Sequence, residues 1–377
     1  MTAATTGPTP DKKTIVLTAG GTGGHLFPAV ALGKSLLERG FAVRLYTDDR
    51  GADYAKRTPG IEAHVVPAAS PSRGGLLGKV GFVFTLARGA LAVSRLLRKH
   101  NAAAVVGFGG YASFPATFMA ARQKRPVILH EQNGYLGLAN RKMAKAASAI
   151  ALSFPTVDGI PQTDARQVET GNPVRPEINH LHDQPYPHPE ADGSFHLFVM
   201  GGSQGARIFS DVIPAAIAGM ETAQRQRIRV TQQCRPEDIE RVRNVYKEAG
   251  VEADLQSFFE NIPERLSGTH LMVCRAGAST CAEALVAGLP AIYVPYPFAA
   301  DDHQSYNARH IEKAGAGWLM KQDDFTVDSL RGKLTGLLID PSPLNAIATA
   351  AAGIGRPDAA ERLADLVVAE VEGERAS

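Results

Sequence analysis

Three short stretches carry residue types suited to holding a charged ligand and moving a group from it. The first is Gly20-Gly21-Thr22-Gly23-Gly24-His25. Glycines let a backbone turn tightly and approach a ligand with no Cβ in the way. A helix that starts there offers unpaired N–H groups and the positive end of its dipole to a phosphate or sugar. His25 ends the loop at that helix start, a place that keeps an imidazole neutral and able to accept a proton. The second stretch, Gly201-Gly202-Ser203-Gln204-Gly205-Ala206-Arg207, adds donors from Ser203 and Gln204. The third, Arg275-Ala276-Gly277-Ala278-Ser279-Thr280, places small residues and hydroxyls before a helix that contains Glu283. That is an anion cradle, with a carboxylate about one turn in that can accept from both hydroxyls of a ribose. A dipole-favoured surface glutamate is the plainer reading of Glu283. Beyond it, Asp301 and Gln304 sit where they could reach a hexose hydroxyl, or where Asp301 or Asp302 would cap a helix. A dinucleotide loop is disfavoured: counting from Gly21, the third glycine of G-x-G-x-x-G is Leu26.

The elements that must position these loops are legible from pattern. Thr14–Thr18, Phe41–Thr47, Glu62–Val66, Ala103–Val106, Pro126–Leu129 and Ser148–Leu152 read as buried strands, mostly separated by helical stretches. Pro28–Arg39 reads as a helix ended by Gly40. Pro173–Ser194 is rich in Pro and His and breaks the pattern. A second series opens at Phe195–Met200 and continues at Ile228–Gln232, Asp254–Phe258, His270–Cys274 and Ala291–Val294. The order predicts an α/β protein of two Rossmann-like halves, each a parallel sheet opening with a strand and a glycine turn. The ligand is expected in the cleft between them. The boundaries expected are a flexible N-terminus over 1–13, a first domain over 14–175, a linker over 176–194 and a second domain over 195–355. A C-terminal helix and tail over 356–377 should return to the first domain.

Bulk properties narrow the classes. At 377 residues and 44% hydrophobic, the chain can fill two cores. Its 40 basic and 38 acidic residues argue against nucleic acid as the main partner. Cys234, Cys274 and Cys281 form no C-x-x-C pair, so neither a disulfide framework nor a zinc site is expected. No secretory signal and no apolar run of bilayer length is seen, which points to a soluble or peripheral protein.

Six ordered runs go further: GGTGGHLFPA from Gly20, GGYASFPA from Gly109, HEQNGYLGLANR from His130, GNPVR from Gly171, GGSQGAR from Gly201 and RAGASTCAEALVAGLPAIYVP from Arg275. Together they resemble the family 28 glycosyltransferases that make lipid II from lipid I in bacteria, over nearly the whole chain from Thr14 to Arg362. The resemblance implies the GT-B fold, with UDP-N-acetylglucosamine held mainly by the second domain. It also implies that the acceptor is undecaprenyl-diphosphoryl-N-acetylmuramoyl-pentapeptide, attacking through the C4 hydroxyl of its N-acetylmuramic acid. Carried over by motif, the donor contacts are Thr22, Gly23, Gly24, Asn133, Arg175, Ser203, a backbone contact near Phe259, the run Ala278, Ser279, Thr280, Cys281, Ala282 and Glu283, and Gln304. Other cell-wall and division enzymes are implied partners.

The family's reaction inverts the anomeric centre in one displacement, which needs a base for a weakly acidic hydroxyl. His25 is the first choice. Glu131 and His130, which follow a strand and open a loop, are the alternates; His130 would otherwise orient Glu131 or bind the acceptor diphosphate. The helix start at Ala278, with Ser203 and Arg175, would stabilise departing UDP. No D-x-D triplet is present, so no metal or other cofactor is expected for the chemistry. Ser72–Lys99 combines Leu76, Leu77, Val80, Phe82, Val83 and Phe84 with Arg88, Arg95, Arg98 and Lys99. The apolar loop Leu76–Phe84 is expected to touch an anionic membrane surface, peripherally, on the cytoplasmic side of the inner membrane. The rivals are a UDP-hexose glycolipid synthase, an epimerase of UDP-N-acetylglucosamine and a non-catalytic nucleotide-sugar-binding recruitment subunit.

Overall fold

The computed structural model describes residues 12–56, 58–66, 76–190, 192–202 and 205–373, with the side chains of 76–87 left undescribed. Two parallel sheets organise them. The first holds β1 (Thr14–Thr18), β2 (Ala42–Thr47), β3 (Ile61–Val65), β4 (Ala102–Gly107), β5 (Val127–Glu131), β6 (Ala149–Leu152) and β7 (Arg166–Glu169) in the order β3-β2-β1-β4-β5-β6-β7. The second holds β8 (Phe195–Met200), β9 (Ile228–Gln233), β10 (Glu252–Gln256), β11 (Leu271–Cys274), β12 (Ala291–Tyr293) and β13 (Trp318–Leu319) in the order β10-β9-β8-β11-β12-β13. Strands such as IVL in β1 and LFV in β8 are apolar at every position because helices cover both faces of each sheet. In each sheet the strand order reverses beside the first strand, and a crevice opens at such a point above the strands' carboxyl ends.

β7 and β13 were not foreseen. Both are edge strands, one with the polar sequence RQVE and one only two residues long, so neither carries a clear apolar signature. The first helix runs Gly23–Glu38 and begins five residues before the Pro28 start expected from sequence. Pro28 lies inside it and has no N–H to give the Gly24 carbonyl. The Pro- and His-rich stretch is not loose. It forms a short helix Pro176–Asn179, buries Ile178 and Leu181 among second-lobe residues, and ties Tyr186 Oη to the His270 carbonyl at 2.7 Å.

The chain crosses between the lobes twice, at Gly171–Arg175 and at Gly355–Arg356, and the crossings touch. Gly171 has φ +81°, and a Cβ there would lie 2.6 Å from Arg356 Cβ. Arg356 pairs with Glu169 at 3.2 Å. The last helix, Ala359–Glu372, buries Leu363, Ala364, Leu366 and Val367 in the first-lobe core, and Asp365 pairs with Arg39 at 2.5 Å.

The stretch expected as an apolar loop at Leu76–Phe84 is instead the start of a continuous helix, Leu76–Lys99. The side chains of Leu76, Leu77, Val80, Phe82, Val83 and Phe84 lie outside the described set. Farther along, Val93 and Leu97 pack under the sheet while Arg88, Leu91, Arg95 and Arg98 are exposed. No single helix among the described residues is long and apolar enough to cross a membrane; one bent pair, Val327–Ile339 with Ser342–Glu372, passes on length and composition, and both parts bury apolar side chains in the two cores.

Candidate active site

The first glycine loop leaves β1 at the crevice and is pinned from below by Asp48. That residue caps the helix Asp49–Ala55, accepting from Gly51 N at 3.0 Å, and its other oxygen accepts from Gly21 N at 3.0 Å. The fit leaves no space: a Cβ on Gly21 would lie 2.1 Å from Asp48 Oδ1. Thr22 stands just before the helix, and its carbonyl accepts from His25 N at 3.1 Å and Leu26 N at 3.0 Å. Thr22 Oγ1 and His25 Nδ1 are 2.9 Å apart. Gly23 and Gly24 open the helix, so their N–H groups have no intrahelical partner.

The half-buried His25 ring rests on the loop after β4, beside Gly109 and Gly110. Desolvation lowers its pKa to about 4, with the nearby second-lobe His303 adding to the effect. It lines a cavity of about 180 Å³ together with Gly109–Tyr111, Glu131–Asn133 and Gly137–Asn140. When Nδ1–H donates to Thr22, Nε2 keeps a lone pair, and Nε2 has no hydrogen bond among the described residues.

The two alternates for the base sit differently. Glu131 is buried and its carboxylate accepts four bonds: Asn133 N and Nδ2, both at 3.1 Å, Gly137 N at 2.9 Å and Asn140 Nδ2 at 2.9 Å. Burial raises its pKa, against the pull of those donors. A carboxylate so engaged folds the loop around the cavity and has little capacity left for a substrate proton. His130 is fully buried. Its Nε2–H donates to the Gly171 carbonyl at 3.1 Å and its Nδ1 accepts from Gln132 Nε2 at 3.1 Å. Desolvation lowers its pKa to about 4, and both nitrogens are occupied, so it joins the first lobe to the crossing strand and does not face the cavity.

On the other side of the cleft the helix Ala278–Val286 begins at Gly277, with no side-chain cap on its first N–H groups. Ser279 Oγ is buried with no partner among the described residues, and Thr280 and Ala282 are partly exposed beside it. Cys281 is buried and burial pushes its thiol far up, as it does Cys274. Glu283 is buried too. Its Oε1 takes Arg175 Nε at 3.0 Å and Nη2 at 2.9 Å, while Oε2 has no bond among the described residues. Burial raises the Glu283 pKa, against the attraction of Arg175. Arg175 also lies 5.6 Å from the Phe27 ring centroid, so it reaches the first lobe. A cavity of about 670 Å³ runs between Phe27, Lys34 and Tyr54 on one side and Arg175, His180 and Glu260–Asn261 on the other. The helices Gly23–Glu38 and Ala278–Val286 touch across the cleft.

The remaining candidates are distributed around this centre. Ser203 and Gln204 lie outside the described residues; their loop is held by Gln233, which accepts from Gly201 N at 3.0 Å and donates to the Ser257 carbonyl at 3.1 Å. The Phe259 ring is buried against Phe198, so only its backbone is open to a ligand role. Gln304 Oε1 accepts from Tyr296 N at 2.9 Å and so shapes its own loop. Asp301 pairs across the cleft with Arg141 at 2.8 Å. Asn133 Oδ1 accepts from Asn307 Nδ2 at 3.1 Å.

Three organising residues were not picked out from sequence: Asp48, Gln233 and Asn307. Asp48 carried a signal, since an aspartate between a strand and a helix is a typical N-cap. Asn307 carried a fainter one, as an asparagine inside a helix is disfavoured without a specific use.

The two Rossmann-like α/β domains, with their glycine loops facing across a cleft, define the GT-B fold. The glycosyltransferase family 28 N-terminal domain matches residues 15–152 and the family 28 C-terminal domain matches 196–363, and the chain belongs to this family. A UDP-N-acetylglucosamine--N-acetylmuramyl-(pentapeptide) pyrophosphoryl-undecaprenol N-acetylglucosamine transferase from Rhodospirillum centenum is 50% identical over 94% of this chain and 93% of its own length. The transferase of the same name from Paramagnetospirillum magneticum is 48% identical, over 96% of this chain and 98% of its own. Among solved structures, Acinetobacter baumannii MurG superposes with a TM-score of 0.77 at 26% identity, covering 94% of this chain and 99% of that one. A Neisseria meningitidis UDP-GlcNAc 2-epimerase shares the fold, with a TM-score of 0.66 at 14% identity, covering 96% of this chain and 100% of that one.

Proposed function

We propose that this protein transfers N-acetylglucosamine from UDP-N-acetylglucosamine to the C4 hydroxyl of N-acetylmuramic acid in undecaprenyl-diphosphoryl-N-acetylmuramoyl-pentapeptide, converting lipid I to lipid II. The observation that carries it is the placement of His25, a neutral imidazole lining the first-lobe cavity, on a helix that touches the helix Ala278–Val286 of the other lobe. The lobe over 14–175 takes the acceptor and the lobe over 195–355 takes the donor. The acceptor oxygen attacks the anomeric carbon as His25 Nε2 takes its proton. The bond from that carbon to the UDP oxygen breaks on the opposite face, which inverts the centre. Fixed donors at Ala278–Thr280, with Arg175 and Ser203, receive the charge that develops on the leaving diphosphate. Glu283 Oε2 accepts from the ribose, and Thr22–Gly24, Asn133 and Gln304 border the sugar.

The segment Leu76–Phe84, at the start of the helix Leu76–Lys99, meets the anionic inner leaflet, and the exposed Arg95 and Arg98 farther along lie toward the lipid headgroups. The protein works there as a peripheral enzyme of the cytoplasmic side, beside other cell-wall and division enzymes. Incubation with radiolabelled UDP-N-acetylglucosamine and lipid I tests the reading. A labelled, butanol-extractable product supports it. Donor binding without transfer would leave only a binding subunit, and equal transfer to diacylglycerol would indicate a glycolipid synthase.

A further inference from the structure

Asn307 is fully buried in the helix His303–Lys313 and uses both ends of its side-chain amide, with partners on each side of the seam between the lobes. Its Oδ1 accepts from Gly134 N at 2.7 Å. Its Nδ2 donates to Asn133 Oδ1 at 3.1 Å and to the Ala276 carbonyl at 3.0 Å. Two partners belong to the first-lobe loop and one immediately precedes the Gly277 cap of the helix Ala278–Val286. On the first-lobe side the chain of bonds continues. Asn133 donates to Glu131, and Glu131 holds Gly137 and Asn140 at the wall of the His25 cavity. An unbroken run of hydrogen bonds thus links the wall of one half-site to the helix start of the other.

Two neighbouring seam contacts are of another kind. Tyr135 meets Tyr306 at 5.0 Å between ring centroids and Phe154 stacks on His310 at 5.1 Å. Ring contacts are tolerant of sliding, whereas three bonds to one planar amide fix a register. We infer that Asn307 is a positioning residue for the transfer: it sets the alignment in which the loop around Asn133 meets the donor-side helix start. The inference rests on the function proposed above, since the alignment matters only where a group passes from one half-site to the other. A misplacement of about 1 Å at such a junction lowers a rate roughly 100-fold.

The test is Asn307→Asp, which keeps the shape and turns an oxygen toward both Asn133 Oδ1 and the Ala276 carbonyl. Turnover with lipid I should fall about 10- to 100-fold. Affinity for UDP by calorimetry should stay within about twofold, and spin labels on the two lobes should report a broadened distance distribution. Arg141→Gln, which removes a part-exposed ion pair to Asp301 on the same seam and a bond to Tyr135 Oη, should leave turnover within about threefold. Unchanged turnover in Asn307→Asp, or UDP affinity falling in step with turnover, would overturn the inference. Should the variant not fold, hydrogen exchange on the wild type decides. The Gly134 amide should exchange at least about 100-fold more slowly than in a free peptide, and rapid exchange would remove the latch. A wild type that makes no lipid II would sink the proposed function, and distance distributions unchanged in Asn307→Asp would overturn the alignment of the lobes by Asn307 whatever the reaction.

Discussion

The imidazole of His25 is kept from protonating by its surroundings, and that determines how the reaction should respond to pH. With a pKa near 4, it is neutral throughout the physiological range. The expected profile of kcat/KM is level on the acid side down to about pH 5, with loss as pH falls through about 4, where the base takes up a proton. A limb near 6.5 would show a solvated histidine and remove the desolvation account. His25→Ala should lower turnover about 100- to 10,000-fold while UDP affinity by calorimetry stays the same. Glu283 acts differently. Its Oε1 is held by Arg175 and its Oε2 has no bond among the described residues. Glu283→Ala removes an acceptor and also leaves Arg175 without its partner, so UDP should bind about tenfold more weakly. Calorimetry giving the wild-type affinity would take Glu283 off the ribose.

At the scale of elements, the loops work because other elements hold them. Asp48 belongs to no glycine loop, yet it joins Gly21 to the start of the helix Asp49–Ala55. Asp48→Ala removes both bonds. It should lower stability by about 1 kcal/mol, the usual effect of a lost N-cap, and lower turnover by releasing the loop that carries His25. Chemical denaturation that shows no shift in midpoint would mean that the cap contributes nothing. The strands that begin the two sheets were readable because β1 and β8 are apolar runs bounded by polar and glycine residues. β13, two residues at an edge, was not, because its pairing with β12 comes from neighbours distant in sequence. The start of the first helix was misplaced for a related reason. Proline is favoured in the first turn of a helix, but here the glycines before Pro28 are drawn into the helix, with Gly21 anchored to Asp48 just ahead.

For the whole molecule, three buried or half-buried histidines stand out. His25, His130 and His270 all have pKa values lowered to about 4, chiefly by desolvation. Unfolding returns them to about 6.5, so between about pH 6.5 and 4 the unfolded chain binds more protons than the folded one. Stability is therefore full above about 6.5 and declines as pH falls through that window. Tm measured by calorimetry from pH 7.5 to 4.5 should drop, most steeply below 6.5. A Tm constant over that range would contradict the burial of these rings. His130 lies where the first lobe meets the crossing chain at Gly171, so part of this pH dependence should reside at the junction of the lobes.

Residue order alone determined a good deal: the two α/β halves, the glycine loops after β1 and β8, the small-residue helix start at Ala278, and the family through six motifs in sequence. These are local features, set by the period of apolar residues and by backbone freedom at glycine, and a chain displays them before it folds. Tertiary structure decided which polar residues are free and which are used. The sequence put His25 ahead of Glu131 and His130 only through its place at a helix start. Folding leaves a nitrogen of His25 unbonded among the described residues, surrounds Glu131 with four donors and closes both nitrogens of His130. It also brings Asn307 within hydrogen-bond reach of a loop more than 170 residues earlier in the chain, with |i−j| of 174 to Asn133. The reason is physical: hydrogen-bond saturation and desolvation depend on distances between segments far apart in sequence, which only the packed fold establishes.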